Sequence, residues 1–178
     1  MTGIFQLNTS ADFWLEIVVP DCSEYFKNKG NLRLALHAAI SLFHMSDWVF
    51  HTHQAAVISS FTYTNNAGVP VNVSSASTFA NSLEQQNEDF GRIRGICHAA
   101  KHLKLHDIRP VASAPSHAAN TASHAISTAA QGFFSQWWPA NPSRKVMLAG
   151  PSGNDMEFEG ILRSVYEMWE NLKRTHGW

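Results

Sequence analysis

Between Asn31 and His51 the sequence NLRLALHAAISLFHMSDWVFH keeps its polar residues to one side of a helical wheel. At an advance of about 100° per residue, Arg33, His37, Ser41, His44, Asp47 and His51 share an arc of about 120°, while Leu34, Ala35, Leu36, Ala39, Leu42, Phe43, Val49 and Phe50 cover the rest. The pattern predicts a mostly buried helix over about 32–54. Its polar stripe is either a narrow window to solvent or the wall of a site.

Upstream, Thr9 and Ser10 precede Asp12 and the apolar positions Phe13, Trp14, Ile17 and Val18, a helix start with an acidic first turn. Pro20 is expected to interrupt that helix, with 21–29 continuing as a second short one capped by Gly30. Residues 55–77 mix β-branched side chains with the turn signal Asn65-Asn66-Ala67-Gly68, which predicts a helical extension and then an exposed loop. A third long helix is expected over about 78–105, with Asn81 and Glu84 spaced as an inner cap and GRIRGICHAAKHLKLH at its end.

The stretch 107–144 changes character, being rich in Ala, Ser, His and Pro. Pro110, Pro115, Pro139 and Pro142 forbid a long helix there, so irregular chain with one or two short strands, such as 108–112, is expected. Next, 145–149 and 155–159 flank the turn residues Gly150-Pro151-Ser152-Gly153-Asn154, and Met156 and Phe158 alternate with acidic residues, which predicts a hairpin. The same Gly-Pro-Ser-Gly lacks the Gly-Lys-Ser/Thr of a phosphate loop. A closing amphipathic helix places Ile161, Leu162, Val165, Met168, Trp169 and Leu172 on one face. The expected fold is mainly α: an up-and-down helical bundle with a small β-hairpin before the C-terminal helix. One domain spans 1–178, made of a bundle core (10–106), the irregular segment (107–144) and the hairpin with the last helix (145–178).

Composition narrows the function classes. With 44% hydrophobic and 11% aromatic residues, the 178-residue chain has enough apolar surface for a core and is not a disordered chain. Thirteen Lys and Arg against fourteen Asp and Glu leave a net charge of −1, so a polynucleotide ligand needs a local patch. Cys22 and Cys97 stand far apart and outside any metal-binding spacing, as expected of reduced thiols. MTGIFQLNTS has neither the basic nor the apolar region of a secretory signal, and no run suits a membrane span. A cytoplasmic protein without a membrane partner is the expectation. Phe133, Phe134, Trp137 and Trp138 read as packing rather than as a base-stacking platform, because no basic residues interleave with them.

Histidine is the outlier, with ten in the chain and seven of them between His37 and His106. Imidazole serves acid–base chemistry, metal ligation and pH sensing, while each histidine taken singly also has an ordinary solvated or packing role. His98 and His102 lie one helical turn apart and can share one metal ion or one phosphate. On the wheel they point away from the arc of Ile93, Ile96, Cys97, Ala100 and Leu103, toward solvent, a partner chain or the Ala/Ser-rich segment. Asp47 suits the orientation of a histidine, or an ion pair with Arg33, Arg94 or Lys101.

Two families resemble this arrangement. A helix bearing His44 and Asp47, beside a second helix ending in Arg92-Ile93-Arg94-Gly95-Ile96-Cys97-His98 and Cys97-His98-Ala99-Ala100-Lys101-His102, resembles the HEPN superfamily of small helical bundles. Active members of that superfamily cleave RNA without metal in toxin–antitoxin and phage-defence systems. Arg92 and His98 have the family's Arg-to-His spacing, with Ile93 at its polar position; in the second segment Cys97 stands where the Arg would be. The resemblance covers about residues 10–106. It implies an RNA-acting or RNA-binding protein with a cognate protein partner. In an active version His102 is the general acid or base, His98 its partner or a phosphate ligand, and Lys101 the stabiliser of phosphorane charge, with His44 and Asp47 behind them. It further implies a homodimer, with the outward face of the third helix at the interface. The set His44, His98 and His102 is also similar to the DinB-like bundles, which hold a divalent metal on three histidines; that resemblance implies zinc or nickel with positions left open for water. A third possibility is a non-catalytic interaction module.

Overall fold

The computed structural model describes residues 7–101, 127–128, 145–148 and 155–178, with the backbone alone at Ala99, Lys101, Ser127 and Thr128. In chain order the described elements are α1 (Ser10–Phe13), a π-helical turn (Trp14–Val18), α2 (Val19–Lys27), α3 (Leu32–Thr52), α4 (Gln54–Ser60), β1 (Thr62–Thr64), β2 (Pro70–Asn72), α5 (Ala76–Gln86), α6 (Glu88–Lys101), β3 (Ser127–Thr128), β4 (Val146–Leu148), β5 (Met156–Glu157) and α7 (Phe158–His176). The protein is a mainly α bundle with a small antiparallel hairpin before the last helix, as the apolar periodicity predicts.

α1 starts on a reciprocal cap: the Thr9 hydroxyl accepts from the Asp12 N–H at 3.1 Å and the Asp12 carboxylate from the Thr9 N–H at 2.9 Å. Pro20 does not interrupt the chain. Instead the helix widens to π geometry over Trp14–Val18, with the Val19 N–H reaching back to the Trp14 carbonyl, and continues into α2 with Pro20 in its first turn. Widening gives the pyrrolidine ring, which lacks an N–H and would crowd the preceding turn, a place in an unbroken helix. α2 ends at Asn28 rather than Gly30.

α3 is the central element of the bundle, packed against α2, α5, α6 and α7. Asn31 caps it by accepting from the Leu34 N–H at 3.2 Å. Of the predicted polar stripe, Arg33, His37 and His51 are exposed and His44 and Asp47 half-buried, whereas Ser41 turns inward at 3% exposure. The Ser41 and Ser46 hydroxyls satisfy themselves on the Ala38 and Phe43 carbonyls of their own helix, which lets both sit in the core.

Two further segments depart from the sequence reading. The helical extension is α4, but in place of an exposed loop the chain then forms a hairpin: β1 and β2 pair antiparallel with Thr62 opposite Asn72 and Thr64 opposite Pro70. Asn65 builds its turn by accepting from the Ala67 and Val69 N–H groups, and Gly68 supplies the left-handed residue at φ 77°. α5 holds β1 by side chains, Gln85 bonding both the Thr64 N–H and carbonyl at 2.7 Å and Ser82 the Thr62 carbonyl at 2.7 Å. The second departure is the third helix, which breaks at Asn87. There the Asn87 side chain accepts from the Asp89 and Phe90 N–H groups and starts α6 afresh. Asn81 and Glu84 are not a cap; both accept from Arg94, at 2.7 and 3.1 Å, and tie α5 to α6.

β4 pairs with β5 at the predicted hairpin, Leu148 opposite Met156, and β3 adds a third strand on its other side. The second strand is shorter than expected, because Phe158 and Glu159 already belong to α7. The expected strand at 108–112 and the aromatic cluster at 133–138 lie outside the described residues. α7 closes the core with Trp169, fully buried between Phe79 and Phe90, its indole N–H donating to the Leu42 carbonyl at 3.0 Å.

Candidate functional site

Of the expected site residues, His44 and Asp47 lie on α3 and His98 on α6 where the two helices pack. Within α3, His44 Nδ1 lies 3.2 Å from Asp47 Oδ2, the i,i+3 spacing bringing the two side chains together across one turn. Their side chains are 38% and 46% exposed, so the pair is open to a ligand from solvent. With Nδ1 donating to the carboxylate, Nε2 is left as an acceptor, the arrangement of an oriented general base.

Phe43, the neighbour of His44, forms the floor. Its ring is 5.5 Å from that of His44 and 6.0 Å from that of His98, which approaches from α6 edge-on. Two imidazoles from two helices thus flank one apolar ring, and His98 is exposed. The wheel points His98 away from its own helix's core, and it does stand at the surface, beside α3. Lys101 ends α6 and His102 lies outside the described residues, so the His98–His102 pairing is not part of the described geometry.

The arginines of α6 are committed elsewhere. Arg92 bridges Glu88 at 2.6 Å and also pairs with Asp89, while Arg94 bonds Asn81 and Glu84. Asp47 therefore takes His44 as its partner, and Arg94, one of the cations expected for it, serves the α5–α6 junction. Among the described residues no three His, Cys, Asp or Glu side chains converge as a metal set. Of the zinc or nickel ligands expected, His44 and His98 share the Phe43 face and His102 falls outside the description. Among the described residues no helix is long and apolar enough to cross a membrane.

Sequence reasoning missed two polar contacts. His53, at the break between α3 and α4, places Nε2 3.0 Å from the Ser10 hydroxyl and stacks on Trp178 at 5.6 Å; burial holds its pKa below the ordinary imidazole value. Asp21, on α2, is half-buried, and burial raises its carboxyl above the usual range against the opposing influence of the Ser41 hydroxyl and of His37. Both join residues far apart in sequence, and no spacing in the chain marks either of them. The cysteines are buried and unbridged, and burial pushes the Cys22 thiol up to about 12, away from nucleophilic chemistry. No protein-family model, curated protein or solved structure matches the chain.

Proposed function

We propose that the exposed face shared by α3 and α6 is an acid–base site acting on RNA, in a HEPN-like helical protein of a bacterial toxin or phage-defence system with a cognate protein partner. The observation that supports this reading is the His44–Asp47 hydrogen bond beside a second imidazole, His98, on the same Phe43 ring. Cleaving RNA through its own 2′-hydroxyl requires one group to accept a proton and another to supply one. His44 Nε2 takes the 2′-hydroxyl proton, and Asp47 steadies the imidazolium that forms. The 2′-oxygen bonds to the adjacent phosphorus, the bond from phosphorus to the 5′-oxygen breaks, and His98 as imidazolium protonates that leaving oxygen. The products are a 2′,3′-cyclic phosphate and a free 5′-hydroxyl. Lys101 and His102, which continue the chain from His98, are assigned to the phosphate charge. The homodimer implied by the resemblance sets two such faces in one assembly.

The test is cleavage of structured and single-stranded RNA by the untagged chain in excess EDTA, with the product ends identified. His44→Ala and His98→Ala are each expected to lower the initial rate by about a hundredfold or more, and Asp47→Asn by less. A wild-type chain that neither cleaves nor binds RNA, or whose cleavage survives both alanine variants, removes the reading. The same two imidazoles also suit a mononuclear zinc or nickel centre completed by His102. Stoichiometric metal in untagged protein, lost in His98→Ala, would transfer the site to that chemistry.

A further inference from the structure

Beside the break at Asn87 lies an open groove of about 380 Å³, lined by none of the residues of the His44, Asp47 and His98 face. One wall is the corner that Gln86 and Asn87 make between α5 and α6. The other is a stripe of α7 from Ser164 to Leu172, whose lining residues recur every three or four positions and so share one side of the helix. The Asn87 amide holds the corner against α7, donating to the Ser164 hydroxyl at 3.3 Å and to its carbonyl at 3.5 Å. The floor is aliphatic, since Met168 and Leu172 are half-buried and pack on the core. Above it the lining carries a single charge, the exposed Glu167 carboxylate. Gln86 donates its amide nitrogen to the Ser82 hydroxyl at 3.1 Å; among the described residues neither its Oε1 nor the Glu167 carboxylate has a partner.

We infer that this groove is a binding site for a linear aliphatic amine, taken up as its ammonium ion. Such an amine is protonated at neutral pH, as lysine is, and its ammonium has three donors and no acceptor. Glu167 and Gln86 present unused acceptors from the two walls, one of them charged, while the methylene chain gains by leaving water along Met168 and Leu172. The same carboxylate repels phosphates and carboxylates, and the floor offers no aromatic face on which a base could stack. The nearest opposing charge on this stretch of α7 is Arg174, whose guanidinium is tied to Asn171 Oδ1 at 3.0 Å. It is exposed and lies seven residues past Glu167, about 10 Å along the helix, where water and salt screen most of its repulsion. Because the groove is open and its ion pair faces solvent, the affinity is expected to be about millimolar. The inference holds whether or not the chain acts on RNA.

Nuclear magnetic resonance of the full-length chain, isotope-labelled at its methionine methyl groups, reads the floor of the groove through Met168, whose signal is assigned by its absence in Met168→Leu. Titration with putrescine is expected to shift that signal saturably, and the uncharged diol of the same chain length to leave it in place. Glu167→Gln is expected to raise the putrescine dissociation constant about fivefold, the most that an exposed ion pair supports. Gln86→Lys sets a tethered ammonium beside Glu167 and is expected to abolish the shift. Glu170→Gln removes a carboxylate exposed on the same helix but outside the groove, and is expected to leave binding unchanged. Gln86, Glu167 and Glu170 are all exposed, and an unchanged melting temperature shows that a variant which loses binding has kept its fold. A wild type whose Met168 signal does not shift saturably at millimolar putrescine overturns the inference, as does a diol that binds as tightly as the diamine or a Gln86→Lys chain that still binds. Equal losses in Glu167→Gln and Glu170→Gln also overturn it, because they mark diffuse attraction to an acidic helix and not a site.

Discussion

His53 and Asp21 respond to pH in opposite directions, and both are testable one side chain at a time. His53 is held in its neutral form by burial, so its folded pKa lies below the unfolded value of about 6.5. Below that pH the unfolded chain binds the additional proton; stability present above it is lost as the pH falls through the folded pKa. Urea unfolding at pH 7.5 and 5.5 is expected to show this loss, and His53→Gln to diminish it. An unchanged pH difference in the variant would locate the sensitivity elsewhere. Asp21 has the reverse sign. Its folded pKa is raised, so the contribution it makes when protonated at low pH is lost as the pH rises through that value, and at neutral pH its carboxylate is a burden on the fold. Asp21→Asn, which keeps the size of the side chain without its charge, is therefore expected to raise the unfolding midpoint at pH 7. A lowered midpoint would mean that attraction from His37 outweighs desolvation.

At the scale of elements, the break at Asn87 shows what periodicity conceals. Leu83 and Phe90 lie seven residues apart and are both buried, so the apolar pattern runs through the junction as though one helix continued. Only the local sequence Asn87-Glu88-Asp89, an N-cap residue and then an acidic first turn, marks a new start. Asn87→Ala removes the acceptor for the Asp89 and Phe90 N–H groups and is expected to cost about 1 kcal/mol, read as a lower urea midpoint with an unchanged slope. The β1–β2 hairpin is hidden in the sequence for another reason. Its strands are mostly exposed on both faces and lack the alternation that burial imposes, while its hold on α5 depends on Gln85 and Ser82, some twenty residues away. The site is legible to the same extent as its local geometry. His44 and Asp47 meet because one helix turn joins them, and the apolar pattern of α3 is itself enough to predict that helix. The approach of His98 to Phe43 depends on how α6 packs across α3, which the sequence does not encode in any spacing.

Across the whole molecule, the last helix completes what α3 begins. Trp169 projects from α7 into the space bounded by Phe79 of α5, Phe90 of α6 and the Leu42 carbonyl of α3, joining four helices at one side chain. Salt bridges at the start of α7 are exposed and contribute little by comparison: Glu159 meets Lys29 at 2.9 Å and Arg163 at 3.1 Å, all three reached by solvent. Trp169→Ala leaves a cavity of indole size where α3, α5, α6 and α7 meet around one ring. Such a deletion costs about 3–5 kcal/mol, against a total of about 5–15 kcal/mol for a domain of ordinary stability. The variant is expected to unfold at far lower urea, with tryptophan fluorescence and far-ultraviolet circular dichroism still moving together, because the helices share one core and lose it together. Trp48 is the control. It is half-buried and stacks on Phe13 at 5.1 Å near the margin of the bundle, so Trp48→Ala should cost clearly less. Equal losses for the two variants would show that stability is spread evenly over the aromatic residues instead of concentrated where α7 meets α3.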